Sequence, residues 1–322
     1  MMSTIEQVTE VVRAGGEHIP ELLERIERRL GELAADHGDV LAEHAGATIA
    51  AGGKRLRPLL VCLAADGEDG DGVVRAAAAV ELVHSATLVH DDVLDGASLR
   101  RGVPTVVASG GREAATATGD LLFARAFAEL VRNGRSDEVR VLSDATSALA
   151  AGELMQRADA WDARVPVARY LQRCELKTAR LFEAACRLGA LGAGGDADAL
   201  GAFGRRIGLA FQLLDDVLDV SGPAERTGKH RGTDLLDGTV TLPLILARRR
   251  DPELATVDLR EVTTPTQAER LCDRIEATGA LSEVRERALA MVGEAKAALP
   301  RVGARRREAL ELVADSVVER YA

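Results

Sequence analysis

The chain has 322 residues, 47% of them hydrophobic and only 2% aromatic, so Leu, Val and Ala must fill its core. Its 41 basic and 51 acidic residues give a formal net charge of −10, which argues against a nucleic-acid partner. Four widely separated cysteines argue against a disulfide framework or a CxxC zinc site and fit a reducing cytoplasm. We expect no signal peptide and no membrane-spanning run of about 18 apolar residues.

Helical periodicity dominates the chain, and the alternation typical of β-strands is nearly absent. The pattern predicts helices over 19–35, 59–67, 73–97, 113–133, 137–160, 167–191 and 197–220. Further on, we expect a polar loop over 221–241, a helix from Pro243, a connector over 251–265 and two or three closing helices. Because no repeat or interdomain linker is evident, the sequence predicts one all-α domain over 1–322.

Two aspartate clusters of the form DDxxD end two of the apolar helices. They consist of Asp91, Asp92 and Asp95, and of Asp215, Asp216 and Asp219. Because helical residues follow one another at about 100°, the first and last aspartates share a face and the middle one lies about 100° away. A single cluster would usually be a solvated helix end, but two copies indicate cation sites. Hard oxygen ligands favour Mg²⁺ or Ca²⁺, and Mg²⁺ commonly bridges carboxylates to substrate phosphates.

Basic residues suited to phosphate stand in separate polar motifs. Only four of the 41 basic residues are lysine, and three of them lie in GGKRLRP (52–58), ELKTARLF (175–182) and TGKHRGTD (227–234). Arg100 and Arg101 follow the first aspartate cluster. Arginine forks suit diphosphate oxygens, and lysine acts as a compact point charge. Any one of these residues would usually be a surface charge, but the set indicates a diphosphate site.

These motifs, taken in chain order from about 52 to 243, resemble those of the trans-isoprenyl diphosphate synthases, or polyprenyl synthetases. The matching segments are GGKRLRP, ELVHSATLVHDDVLDGASLRRGVPT, LKTARLF, FQLLDDVLDV, TGKHRGTDL and TLP. The resemblance implies a large all-α bundle of the isoprenoid synthase type around a central cavity, with the two clusters facing each other across it. It also implies a Mg²⁺-dependent reaction in which an allylic diphosphate ionises and isopentenyl diphosphate attacks the resulting cation.

The resemblance also assigns roles to individual residues. Isopentenyl diphosphate would bind Lys54, Arg57, His84 and Arg101. The allylic diphosphate would bind Arg100, Lys177, Thr178, Gln212 and Lys229, together with three Mg²⁺ ions. The catalytic group would be Asp91, Asp95, Asp215 and Lys177. The metal ligands would be Asp91, Asp95 and Asp215, with Asp92, Asp216 and Asp219 binding metal or orienting its waters. Many relatives carry a second lysine near Thr239, which this chain lacks.

Product length is expected to depend on the floor of the cavity. Ala86 and Thr87 lie one turn before Asp91 and would point along the channel that holds the growing chain. Since both side chains are small, we expect a geranylgeranyl or longer, C30–C50-type product. The floor could instead be set by Leu82, Val83, Phe123 or Phe127.

Three other functions compete with chain elongation. A terpene cyclase of the same fold usually lacks GGKRxRP and replaces the second DDxxD, whereas both are present here. A non-catalytic subunit of a hetero-oligomeric synthase tends to lose the aspartates, and a simple metal-binding bundle needs no basic set. The resemblance further implies a cytoplasmic homodimer that does not span a membrane, with a product that partitions into one.

Overall fold

Helices make up almost all regular structure in the computed structural model, which describes residues 4–35, 39–50, 53, 55–100, 102–222 and 231–319. The first ten are α1 Thr4–Gly15, α2 His18–Ala35, α3 Asp39–Ala50, α4 Leu56–Ala64, α5 Asp71–Asp95, α6 Val106–Val131, α7 Ser136–Ala158, α8 Val167–Cys174, α9 Arg180–Gly192 and α10 Ala197–Ser221. The others are α11 Thr233–Leu236, α12 Leu242–Arg248, α13 Pro252–Thr256, α14 Pro265–Ala277, α15 Ala280–Ala297 and α16 Ala304–Glu319. The all-α prediction is confirmed.

The chain divides into two compact units. The first comprises Met1–Thr146, Leu181–Gly204 and Ala298–Val313. The second comprises Ser147–Arg180, Arg205–Ala297 and Ala314–Ala322. The first aspartate cluster therefore belongs to the first unit and the second cluster to the second unit. A single domain over 1–322 stays a prediction.

Helix α5 is buried along most of its length in the first unit, where it packs against α6. At Gly119 of α6 an added Cβ would lie 2.2 Å from the His90 ring, so the absence of a side chain there makes room for that ring. By length and mean hydropathy, α5 is the one described helix that could cross a membrane, but 72% of its apolar window is buried. Its apolar sequence therefore reflects a place in the protein core.

Most predicted helices agree with the structure within a few residues. Helix α6 starts earlier than expected, but Gly111 has a non-helical backbone (φ 81°, ψ 176°), and the regular part follows it. The structure adds α1 and α3, which the periodicity did not predict. The expected connector over 251–265 contains α13 and a 3₁₀ turn, Leu259–Glu261. As the composition predicted, buried Leu, Val and Ala dominate the core, with few aromatic rings such as Phe203.

Candidate active site

The first aspartate cluster occupies the last turn of α5. Gly96 ends the helix in the left-handed conformation (φ 62°), and its N–H donates to the carbonyl of Asp92. Asp92 is 5% exposed, Asp91 is half-buried and Asp95 is exposed. The last turn has no basic residue. Because the C-terminal end of a helix carries partial negative charge, three carboxylates there are unfavourable unless a cation balances them.

A short hairpin, β1 Leu99–Arg100 and β2 Val103–Pro104, follows α5 and places the guanidinium of Arg100 next to this cluster. Arg100 Nε donates to Asp92 Oδ1 at 2.9 Å, and Nη2 forms an ion pair with the same oxygen at 2.7 Å. Its side chain keeps 28% exposure. The middle aspartate of the first cluster is therefore held by one charged, partly solvated partner.

The second aspartate cluster lies near the end of α10. Asp215 is exposed, Asp219 is half-buried and Asp216 is 4% exposed. The last turn of α10 also lacks a basic residue. The same unfavourable combination of carboxylates and helix dipole is therefore present at both clusters.

Asp216 accepts hydrogen bonds at both carboxylate oxygens. The hydroxyl of Tyr170 on α8 donates to Oδ2 at 2.5 Å, and Gln212 Nε2 donates to Oδ1 at 2.8 Å. Gln212 Oε1 in turn accepts from the Thr178 hydroxyl at 2.6 Å. This chain of contacts brings three of the predicted site residues, Thr178, Gln212 and Asp216, into one network.

Negative charge accumulates around the second cluster. Burial and, after it, the negative charge of Asp234 on α11 raise the pKa of Asp216 to about 8 and that of Asp219 to about 9. The backbone N–H of Asp234 donates to Asp219 Oδ2 at 3.3 Å, which holds α11 against the end of α10. These raised pKa values indicate a carboxylate group that would be stabilised by a cation.

The donor set fits a hard divalent cation such as Mg²⁺. Both clusters offer carboxylate oxygens near the ends of helices whose last turns carry no basic residue, and oxygen is the ligand type that Mg²⁺ and Ca²⁺ prefer. Within the described residues, no three His, Cys, Asp or Glu side chains already surround one point as a metal site.

Lys177 and Thr178 lie on a π-helical turn, Glu175–Ala179, which interrupts the predicted helix 167–191. Such wide turns recur at functional sites. Helix α7 passes close to this turn at Gly152, where an added Cβ would lie 2.6 Å from the backbone nitrogen of Lys177. Glycine is therefore required where α7 meets the widened turn.

The ammonium group of Lys177 pairs with the carboxylate of Glu153 on α7. Arg157 Nε also donates to this carboxylate, at 2.7 Å. Although burial acts to raise it, the pKa of Glu153 lies below its usual value because Lys177 and Arg157 favour the charged form. Glu153 thus fixes the position of the predicted catalytic lysine.

Arg55 and Arg57 of the basic motif at the start of α4 make different contacts. Arg55 has a left-handed backbone (φ 47°) and donates to Glu27 of α2 and to the buried Glu81 of α5. Its charge therefore fastens the loop to two helices. Arg57 is half-buried, with its guanidinium carbon 4.6 Å from the centre of the Phe182 ring. Lys54, Arg101 and Lys229 lie outside the described residues.

The proposed chain-length residues lie on the buried side of α5. Ala86 is fully buried, while Thr87 is half-buried and its hydroxyl donates to the backbone carbonyl of His84 at 2.7 Å. The His84 side chain is half-buried as well. A larger side chain at Ala86 would therefore press on its packed neighbours in the first unit.

Sequence reasoning missed three residues of this region: Tyr170, Glu153 and Asp234. Tyr170 had a weak signal, since it is one of two tyrosines in the chain and stands seven residues, about two helical turns, before Lys177. Glu153 lies 24 residues from Lys177, and nothing in the spacing links the two. Only the packing of α7 on the π turn reveals that pair.

Comparison with known proteins identifies a family for this arrangement. The family model "Polyprenyl synthetase" matches residues 39–276. The chain is 39% identical over 273 residues to heptaprenyl diphosphate synthase component 2 of Geobacillus stearothermophilus, covering 81% of this chain and 85% of that protein. It is 37% identical over 257 residues to geranylgeranyl diphosphate synthase of Methanosarcina mazei, covering 76% and 79%.

A solved structure is similar over nearly the whole chain. It is the polyprenyl synthase of Caulobacter crescentus in complex with calcium and isoprenyl diphosphate, with a TM-score of 0.86 and 38% identity. The similarity covers 98% of each chain. That protein binds both a divalent cation and an isoprenyl diphosphate.

Proposed function

Because the chain belongs to the polyprenyl synthetase family and is a prenyltransferase, we propose that it condenses isopentenyl diphosphate with an allylic diphosphate primer in a Mg²⁺-dependent reaction. The product would be a trans-polyprenyl diphosphate of geranylgeranyl length or longer. The observation that carries this proposal is the pair of carboxylate clusters at the C-terminal ends of α5 and α10, one with Arg100 and the other with Thr178 and Gln212.

The site residues divide into three groups in this proposal. Divalent metal would be held by Asp91, Asp95 and Asp215, with Asp92, Asp216 and Asp219 binding the metal or orienting its waters. The allylic diphosphate would contact Arg100, Lys177, Thr178, Gln212 and Lys229. Isopentenyl diphosphate would contact Lys54, Arg57, His84 and Arg101. When bound, Mg²⁺ neutralises the charge of the diphosphate that leaves.

The chemistry requires charge neutralisation and exclusion of water. The allylic C–O bond breaks with its electron pair going to the diphosphate, where Arg100 and Lys177 would stabilise the developing negative charge. The double bond of isopentenyl diphosphate then forms the new C–C bond, and a proton leaves the adjacent carbon, most simply to the departing diphosphate. The reaction requires no nucleophilic side chain, and apolar side chains such as that of Ala86 would not trap the cation.

We infer a long product from the residues before the first cluster. Ala86 and Thr87 are small, and a chain that grows past them meets no aromatic side chain at those two positions. The names of two similar proteins, heptaprenyl and geranylgeranyl diphosphate synthase, give product lengths that fall within the proposed range. The floor of the channel, and with it the exact length, would be set by side chains deeper in the core.

We also propose that the chain forms a homodimer in the cytoplasm. All four cysteines are buried free thiols, which suits a reducing compartment. One observation favours a second assembly: a relative bears the name "component 2", which points to a synthase of two different chains. Native mass spectrometry of the purified chain, followed by assay of the same sample, separates an active homodimer from a chain that requires a second component.

Product analysis tests the proposed activity. The purified chain is incubated with labelled isopentenyl diphosphate, Mg²⁺ and allylic primers of several lengths, and the dephosphorylated products are separated by reverse-phase chromatography. We expect a ladder that ends at one length of geranylgeranyl or longer. Cyclic hydrocarbons formed without consumption of isopentenyl diphosphate would contradict elongation and indicate a cyclase.

A further inference from the structure

We propose that Tyr170 is a positioning residue for the second aspartate cluster, because its hydroxyl fixes Asp216 and thereby orients Asp215 and Asp219 towards a divalent cation. This inference rests on the proposed function, since it assumes that the cluster binds metal for a diphosphate substrate. Tyr170 itself touches neither metal nor substrate in this role. It acts through Asp216.

The carboxylate of Asp216 cannot rotate without losing a hydrogen bond. Its two oxygens accept from two donors, Tyr170 at 2.5 Å and Gln212 at 2.8 Å. Gln212 is one turn earlier on the same helix, so its contact is local. Tyr170 lies on a different helix, α8. Its hydrogen bond therefore limits the rotation of α10 about the α10 axis near Asp216. Asp215 and Asp219, one and three residues away, take their directions from that angle.

Tyr170 is itself held in place. Its side chain is fully buried, and the guanidinium carbon of Arg173 lies 5.3 Å from the centre of its ring. Arg173 is 3% exposed and donates from Nη2 to the carbonyl of Val240 at 2.6 Å. The cation over the ring and the hydrogen bond of Arg173 to the backbone hold the phenol in place. The hydroxyl is therefore presented to Asp216 from a rigid support.

The same network reaches the turn that carries Lys177. Asp216 binds Gln212, and Gln212 Oε1 accepts from Thr178, the neighbour of Lys177 on the π turn. One hydrogen-bonded chain thus runs from Tyr170 through Asp216 and Gln212 to Thr178. A change at Tyr170 should therefore affect the response to both metal and diphosphate.

A simpler explanation is that Asp216 only satisfies a buried hydroxyl. A buried hydroxyl without a partner is costly, so any acceptor would stabilise the fold. The two explanations differ in one measurable respect. A structural hydrogen bond changes the stability of the metal-free protein alone, whereas a positioning bond also changes how the protein responds to Mg²⁺.

The test uses Tyr170→Phe, which removes only the hydroxyl, and Thr118→Val as a matched control. Thr118 is a fully buried hydroxyl on α6 that donates to the carbonyl of Ala114. For each protein the thermal midpoint is measured in EDTA and then during titration with Mg²⁺ at fixed inorganic diphosphate. Steady-state turnover is measured against Mg²⁺ concentration.

We expect Tyr170→Phe to raise the Mg²⁺ concentration for half-maximal thermal stabilisation by about tenfold or more, and to lower kcat, because loosened carboxylates bind the cation less well. Thr118→Val should lower the midpoint in EDTA and leave the Mg²⁺ response unchanged. Equal Mg²⁺ responses in wild type and Tyr170→Phe would overturn the proposal. A wild type that neither responds to Mg²⁺ with diphosphate nor condenses isopentenyl diphosphate would instead overturn the proposed function.

A second pair of variants keeps the test decisive if Tyr170→Phe does not fold. Asp216→Asn retains a carbonyl oxygen for the Tyr170 hydroxyl, whereas Asp216→Ala retains none. If Asp216 acts as an anchor, Asn should preserve much of the Mg²⁺ response that Ala loses. Equal loss in Asn and Ala would mean that the charge of Asp216 matters directly, and would contradict the anchoring role.

Discussion

The two aspartate clusters have the same spacing and the same place at the end of an apolar helix, but their middle residues are held differently. Asp92 accepts from the guanidinium of Arg100, which is partly exposed. Asp216 accepts from the neutral hydroxyl of Tyr170 and the amide of Gln212, and is almost completely buried. A charged partner can exchange with a charged ligand, whereas a buried neutral network fixes geometry. The middle aspartate of the first cluster is therefore held by a partly solvated charge, and that of the second by a buried hydrogen-bond network.

The largest expected effect falls equally on the outer aspartates of both clusters. Asp91→Ala and Asp215→Ala should each lower turnover by about a thousandfold or more, because the cation that stabilises the leaving diphosphate loses a ligand. Circular dichroism should show unchanged helix content. Condensation of isopentenyl diphosphate at near-normal rate in either variant would remove that cluster from the metal site.

A smaller effect is expected when Arg100, the partner of the middle aspartate of the first cluster, is replaced. Arg100→Gln should raise KM for the allylic primer by about tenfold to hundredfold, because the proposed charged contact between the Arg100 guanidinium and the diphosphate is lost. Arg135→Gln serves as a matched control, since Arg135 pairs with Asp137 at 3.0 Å on the same unit. Equal primer KM values in the two variants would show that Arg100 only supports Asp92.

The turns before the two clusters also differ, and this difference predicts product length. Ala86 and Thr87 precede Asp91, whereas Ala210 and Phe211 precede Asp215. Ala86→Phe should shorten the product by at least one five-carbon unit because the ring would close the channel beside α5. Since Ala86 is fully buried, the variant should also lose thermal stability.

The control for product length is Thr87→Val, which conserves side-chain volume and should leave the length unchanged. Reverse-phase analysis of the dephosphorylated products measures the lengths of all three proteins. An unchanged product length in a folded, active Ala86→Phe variant would show that residues other than Ala86 form the floor of the channel.

The smallest effect concerns pH and metal-free stability. Burial raises the pKa of Asp216 to about 8 from a usual value of 3.8, so the folded state holds a proton that the unfolded state releases. This contribution to stability is complete below about pH 4 and is lost as the pH rises towards 8. In EDTA, the free energy of unfolding of wild type should therefore fall across this range relative to Asp216→Asn. The free energies are obtained from urea denaturation at each pH. A difference in free energy of unfolding between wild type and Asp216→Asn that stays constant from about pH 4 to about pH 8 would contradict the raised pKa.

Local sequence patterns were sufficient for most of the helices. Apolar residues at helical spacing located α2, α4, α5, α7 and α10, and Gly96, just beyond Asp95, ends the first cluster's helix in a conformation that suits glycine. The π turn at Lys177 was not predicted, because the residues of 167–191 keep one continuous helical pattern. The structure shows that Gly152 of α7 lies close against this widened turn.

The candidate site was predicted in part. The sequence identified both aspartate clusters and the neighbouring Thr178 and Gln212, because these residues belong to short, recognisable sequence motifs. It could not identify Tyr170 as the partner of Asp216, since 46 residues separate them. Nor could it separate Arg55, which fastens the basic loop to Glu27 and Glu81, from Arg57.

The sequence by itself determined the helical class and the two carboxylate clusters, because helix periodicity and i, i+4 spacing are properties of neighbouring residues. The resemblance of its motifs to those of a known family indicated the family. The tertiary structure alone decided which aspartates are buried and which side chains form hydrogen bonds with them. Burial and hydrogen-bond partners depend on residues far apart in the chain, and those two quantities set the pKa and the orientation of each carboxylate.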